Sequence, residues 1–155
     1  VSTAVAPSTV EQLLLEHALA QVLVRYARAC DGRDWALLDD VFTPDCTTDY
    51  CGCICHGVDA VRHMISSHLD GCGPTQHLLG NLQVDAGAAG SAPPRSTIHV
   101  RAVHQGLLRR AALRYDAVGF YEDQWTHTPA GWRIHHRRMS MLLELGDRSV
   151  LQPGG

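Results

Sequence analysis

Lysine is absent from this chain, and all 13 basic residues are arginine. A Schiff-base lysine mechanism is therefore closed to it. Long apolar runs are also missing, since none approaches the roughly 18 residues of a membrane-spanning helix. The start of the sequence lacks the basic-then-apolar pattern of a secretory leader, so a cytoplasmic location is expected. There is no HExxH, no GxSxG elbow, no P-loop and no GxGxxG, so the usual motifs of zinc proteases, serine hydrolases, NTPases and dinucleotide enzymes are not present. Charge of one sign is in short supply as well. A net charge of -3 invites neither nucleic acid nor an anionic membrane.

What remains is a soluble globular composition, 45% hydrophobic and 19% charged over 155 residues. That length suits one domain with a real core, with residues 1–7 and 152–155 expected as tails. Ser8 and Glu11 fit a capping box opening a helix that carries Leu14, Leu15, Ala18, Val22, Leu23 and Tyr26 to about residue 30 and stops near Gly32. A short helix is expected over 34–42, with Trp35, Leu38, Val41 and Phe42 apolar and Pro44 ending it. Residues 46–55 alternate as one strand, and 57–69 read as a third helix with Val61, Ile65 and Leu69 in register. Three longer strands follow at 76–85, around 98–104 and at 113–125, and a returning strand spans 132–145 after the Thr128-Pro129-Ala130-Gly131 loop. Helices first and strands afterwards predict an α+β fold in which a curved sheet wraps the helices.

Six cysteines with no secretion signal are expected to be reduced thiols. Cys51, Cys53, Cys55 and His56 suggest a metal cluster, but alternate residues of one strand lie about 6.6 Å apart and the outer two about 13 Å. Tetrahedral zinc needs sulfurs about 2.3 Å from the metal, so a small-residue packing face is the preferred reading and no metal is expected. Among ten histidines, His63 and His68 are assigned to a helix surface or its boundary, and at most one of His135 and His136 faces inward.

Two histidines and one aspartate stand apart. His77, in Thr75-Gln76-His77-Leu78-Leu79-Gly80-Asn81, opens a strand, where an imidazole costs free energy unless its nitrogens find partners. His104 continues the apolar row Ile98, Val100, Ala102. Asp31 falls at a helix C-terminus, where the macrodipole disfavours a carboxylate. Near neutrality an imidazole can take a proton and return it, since its unperturbed pKa is about 6.5. Removal of a proton α to a carbonyl gives an enolate that a tyrosine hydroxyl or a bound water can stabilise.

The stretches YARACDGRDWALLDDVF (26–42), Thr43-Pro44-Asp45, Asp49-Tyr50, TQHLLGN and GFYEDQWTHTPAGWR (119–133) together resemble a SnoaL-like domain of the nuclear transport factor 2-like superfamily, and within it scytalone dehydratase and its bacterial relatives. The resemblance covers roughly residues 10–151. It implies a cone-shaped barrel with an internal pocket, and catalytic roles for His77, His104, Asp31 and Tyr50, with Asp31 and His104 as partners of His77. The dehydratase's second tyrosine, just before the aspartate, is here Cys30. Candidate substrate-binding side chains are Tyr26, Trp35, Asn81 and Tyr121. The expected activity is a cofactor-independent dehydratase, cyclase or isomerase acting on an aromatic or polyketide-like small molecule. A hydrolase or epoxide-opening enzyme of the same fold is the enzyme alternative, and a non-catalytic binding module the other. A homo-oligomer, dimer or trimer, is implied by the family alone.

Overall fold

The computed structural model describes residues 9–87 and 92–152. Helix α1 (Val10–Gly32) is capped by Thr9, whose side chain accepts from the Gln12 amide; Ser8 lies outside the described residues. Its core face is Leu19, Val22, Leu23, Tyr26, Ala29 and Cys30, while Leu14 is exposed. The i+4 run from Leu14 to Tyr26 misleads because each four-residue step advances about 40° beyond a full turn. Counted back from Tyr26, which is buried, the stripe has rotated off the core by Leu14. The helix ends at Gly32 as expected, and the left-handed residue that caps it is Arg33 (φ 55°).

A 3₁₀ turn (Trp35–Asp40) leads into β1 (Phe42–Tyr50), so Phe42 belongs to a strand and not to a helix. The single strand expected at 46–55 is a hairpin. Cys51 and Gly52 both take positive φ (54° and 95°) and fold β1 back onto β2 (Cys53–His56). Two consecutive left-handed residues are what a tight two-residue hairpin requires, and glycine supplies the second at no steric cost. The reversal pairs Tyr50 with Cys53 and Thr48 with Cys55, which places these four on one face and corrects the alternation expected for a continuous strand. Helix α2 (Val58–Leu69) buries Val61, Ile65 and Leu69.

The remaining strands are β3 (Thr75–Asp85), β4 (Arg95–Gln105), β5 (Arg114–Thr128) and β6 (Gly131–Gly146). They complete one mixed sheet in the order β2-β1-β6-β5-β4-β3, with β1 and β6 parallel and the other pairs antiparallel. β2 and β3 are free edges, so the sheet is a curved half-cone and not a closed barrel. Bulges between Val118 and Gly119 and between Gln124 and Trp125 bend it. Gly119 is required at the first bulge, because a Cβ there would sit 2.2 Å from the Ser140 carbonyl oxygen. The concave side holds Ile98, Val100, Ala102, Tyr115, Ala117, Tyr121 and Trp125, closed over by α1, α2 and a C-terminal 3₁₀ turn (Arg148–Leu151) whose Val150 is fully buried. No helix among the described residues is long and apolar enough to cross a membrane.

Candidate active site

The site begins at the end of α1. A left-handed arginine is strained, and Arg33 is held there by its own guanidinium, which donates to the carbonyls of Cys30, Leu69 (3.0 Å) and Gly73 (3.0 Å) and to Thr75 Oγ1 (2.8 Å). These bonds fasten the end of the helix to the start of β3. Asp31 thereby gains the donors that the helix terminus denies it. Thr75 Oγ1 donates to its Oδ1 (3.1 Å), the His77 amide to its Oδ2 (2.9 Å) and His77 Nδ1 to its Oδ1 (2.7 Å). Burial alone would raise this carboxyl's pKa; the bonds from His77 and Thr75 outweigh it and hold the group below the usual carboxylate value. The imidazole nitrogen facing away from Asp31, Nε2, is left with its lone pair available.

His104 reaches the same place from β4. Strand register sets His77 beside Ala102 and Thr75 beside His104, so both imidazoles rise from the concave face. Their ring centroids are 5.8 Å apart and nearly perpendicular. His104, expected as a partner of His77, shares no direct hydrogen bond with it among the described residues. His104 Nδ1 instead donates to the Tyr115 carbonyl (3.1 Å). Burial lowers the His104 pKa to about 4, with the proximity of His77 acting in the same direction, so the ring is neutral near pH 7. His104 is thus a fixed neutral ring, and His77 the one coupled to an acid.

Tyr50, at the end of β1, completes the group. Its hydroxyl lies 3.1 Å from that of Tyr26, and Tyr26, Tyr50 and Tyr121 stack edge-to-face at 5.7–6.3 Å. Beneath them is a residue that sequence reasoning passed over. Arg137 is fully buried, bonded through Nε and Nη2 to Asp123 at 2.7 and 2.9 Å, with its guanidinium 4.4 Å from the Tyr26 ring centre and 4.1 Å from that of Tyr121. Its Nη1 and the hydroxyl of Thr48, its neighbour in the sheet, have no partner among the described residues. Burial pushes the Tyr50 hydroxyl up to about 12, against the opposing pull of the Arg137 charge.

His77, His104, Tyr50, Tyr115 and Tyr121 all line one cavity of about 210 Å³. Its apolar walls include Ile65, Leu69, Ala102, Ala117, Leu151 and all three methionines, Met64, Met139 and Met141. Cys51, Cys53, His68 and Arg148 stand at the edge, so His68 belongs to this pocket and not simply to a helix surface. The other expected residues fall elsewhere. Asp31 is behind His77 and does not line the cavity. Tyr26 is buried behind Tyr50 and Tyr121. Trp35 donates to Asp70 Oδ1 (3.1 Å) outside the pocket. Asn81 takes a left-handed φ of 56° at an irregularity in β3 and is exposed on a different depression of the surface, beside Gln83, Thr97 and His99. Among the described residues no three His, Cys, Asp or Glu side chains are grouped so as to hold a metal ion.

Residues 11–138 match the SnoaL-like domain family. An uncharacterised protein of Mycobacterium tuberculosis is 33% identical over 123 residues, spanning 77% of this chain and 80% of that protein. Among solved structures, a Novosphingobium aromaticivorans protein provisionally named a scytalone dehydratase superposes with a TM-score of 0.76 at 18% identity, over 87% of this chain and 89% of the other. A hexachlorocyclohexane dehydrochlorinase (LinA type 3) of Novosphingobium barchaimii superposes with a TM-score of 0.76 at 11% identity, over 90% and 94% of the two chains. At such identities the likeness is one of fold alone, shared also with a nuclear transport factor 2-like protein of Salmonella enterica (TM-score 0.72, 14% identity, over 83% of this chain and 92% of the other).

Proposed function

The chain belongs to the SnoaL-like family, and from that premise we propose that it is a cofactor-independent acid/base enzyme, a dehydratase or a cyclase/isomerase of an aromatic or polyketide-like small molecule. One observation carries the reading: His77, bonded through Nδ1 to Asp31 at 2.7 Å, lines a cavity shared with His104 and Tyr50.

In this reading His77 Nε2 takes the proton α to a substrate carbonyl, and Asp31 stabilises the imidazolium that forms. The electron pair moves onto the carbonyl oxygen, where the Tyr50 hydroxyl or a water it holds donates a hydrogen bond. When a β-hydroxyl leaves, the proton on His77 goes with it, so one C–H and one C–O bond break and water is released. His104, its Nδ1 committed to Tyr115, offers Nε2 as an acceptor that can hold the departing hydroxyl in line. Ring closure by aldol addition uses the same groups with a differently folded substrate. A hydrolytic or epoxide-opening route is less well supported, since it needs a carboxylate facing the substrate and among the described residues no Asp or Glu lines the cavity.

Enolisation can be read without knowing the natural substrate. Aromatic ketones with α-hydrogens are incubated in D2O, and α-deuterium incorporation is followed by NMR. The wild-type protein is expected to accelerate exchange, and His77→Gln to lower the rate by a factor on the order of 100 or more. Exchange that is undiminished in His77→Gln rules out His77 as the base. If no ketone that binds undergoes exchange, the non-catalytic binding module becomes the better account.

A further inference from the structure

Among the described residues Arg148 is the one formally charged side chain lining the cavity, and its surroundings hold it ready for a ligand. The side chain is 65% exposed, whereas His77 is 6% exposed, so the guanidinium stands at the rim and the imidazole in the interior. The turn that carries it is anchored on every side. Asp147 Oδ1 accepts from the Ser149 amide, Arg110 Nη1 donates to the Ser149 and Gln152 carbonyls (2.6 and 2.7 Å), and Val150 is fully buried. Among the described residues Arg148 makes a single side-chain bond, from Nη1 to Glu144 Oε1 (2.7 Å), and that oxygen also accepts from the Tyr115 hydroxyl. Glu144 does not itself line the cavity. The Nε and Nη2 donors are therefore uncommitted beside a pocket whose other lining groups are imidazoles, phenols, thiols and apolar chains. The cation is paired on one side only, through Nη1 to Glu144, and its remaining donors are left for a ligand.

We propose that Arg148 is a specificity residue that selects substrates bearing a carboxylate: an apolar, ring-bearing body enters between the methionines, and its carboxylate stays at the rim against the guanidinium. The planar fork of arginine suits a carboxylate, and a charge-assisted bond formed beside a ligand that excludes water is stronger than one in open solvent. Glu144 keeps its own bond to Nη1, and so orients the fork without occupying it. This inference rests on the pocket being the substrate site, as proposed above.

The test compares 2-naphthoate with methyl 2-naphthoate by isothermal titration at low and high salt. The wild type is expected to prefer the acid by about fivefold or more, with the preference shrinking as salt rises. Arg148→Gln should abolish the preference while leaving ester binding unchanged, and Arg148→Lys should retain part of it. Equal binding of acid and ester, or a preference that survives in Arg148→Gln, overturns the assignment of Arg148 and leaves the acid/base site standing. If neither ligand binds, or if either binds without perturbing the His77 and His104 imidazole resonances, the substrate site itself is wrong, and this inference falls with it.

Discussion

Substituting Asp123 by asparagine isolates the cost of the ion pair beneath the tyrosines. Arg137 and Asp123 are both fully buried and share two bonds, and among the described residues that carboxylate is the only countercharge paired with the guanidinium. In Asp123→Asn the cation remains, one oxygen acceptor survives, and an N–H of the new amide meets an N–H of the arginine. Breaking one side of a buried pair costs about 3–5 kcal/mol. The surviving acceptor puts the estimate at the low end of that range, about 3 kcal/mol. The stacking of Arg137 on Tyr26 and Tyr121 offsets none of this, since it is present in both proteins. Against a total stability of about 5–15 kcal/mol, the loss is a fifth or more. Urea unfolding followed by far-UV circular dichroism should show the midpoint falling by about 1–2 M at constant slope. The double variant Asp123→Leu/Arg137→Met removes both charges together and should be less destabilised than Asp123→Leu alone, giving a large coupling energy in the cycle. A loss below about 1 kcal/mol in Asp123→Asn, or strict additivity in the cycle, would refute the view that this pair is dry and mutually dependent.

Two other outcomes can be checked on the same preparations. The folded His104 ring, with its pKa near 4, stays neutral where an unfolded imidazole near 6.5 binds a proton, so the unfolded state binds more protons between those values. The wild type should therefore lose about 3 kcal/mol of stability as pH falls from about 6.5 to about 4, and His104→Gln should flatten that decline; equal slopes in the two proteins would contradict the burial argument. Of the six thiols, Cys51 and Cys53 are exposed at the pocket edge while Cys30, Cys46, Cys55 and Cys72 are buried. A chromogenic disulfide reagent should titrate two thiols quickly and the other four only on unfolding, and a pocket ligand should slow the fast pair. A ligand that leaves both rates unchanged would place its binding outside this cavity.

Helix α2 and strand β4 are legible in the sequence because each carries one uninterrupted period, down to the inner row of β4, while β3, β5 and β6 are marked out by the turns between them and carry irregularities in register. The failures have separate physical causes. Alternation across 46–55 is the same for one strand and for a two-residue hairpin, and only the left-handed requirement at Cys51-Gly52 separates them. Tyr26, Trp35 and Asn81 were expected at the substrate because polar and aromatic side chains near a motif invite that role. Burial behind Tyr50, a bond to Asp70 and a left-handed backbone take them elsewhere. Arg137 was missed because an arginine in a strand reads as solvated. Counting back from the hairpin at Thr128 and Gly131 sets Asp123 opposite His136, and only the bulge between Gln124 and Trp125 brings Arg137 opposite Asp123, so the pair is not legible without the bulge. For Arg148 no periodic signal exists, since its position depends on a short C-terminal turn anchored by Arg110.

The placement of Asp31 explains why the proposed base lies at a seam between a helix and an edge strand. A carboxylate inside a regular helix has no backbone donors to accept from, and one at the C-terminus faces carbonyl oxygens. Edge strand β3 supplies what is missing, because the His77 amide points at Asp31 instead of into a ladder. That same contact leaves His77 Nδ1 and its own amide on one carboxylate, which fixes both the tautomer and the tilt of the ring. A lowered Asp31 pKa follows from these bonds, so the acid stays ionised when His77 gains a proton, and the charge pair that stabilises the imidazolium is available throughout neutral pH. Across the tyrosine cluster, the buried Arg137 cation plays the complementary part, opposing the cost of negative charge that burial imposes on Tyr50. In the proposed reaction, proton acceptance at one end of the cavity and negative charge on a substrate oxygen at the other would thus each be favoured by an ion outside the cavity lining.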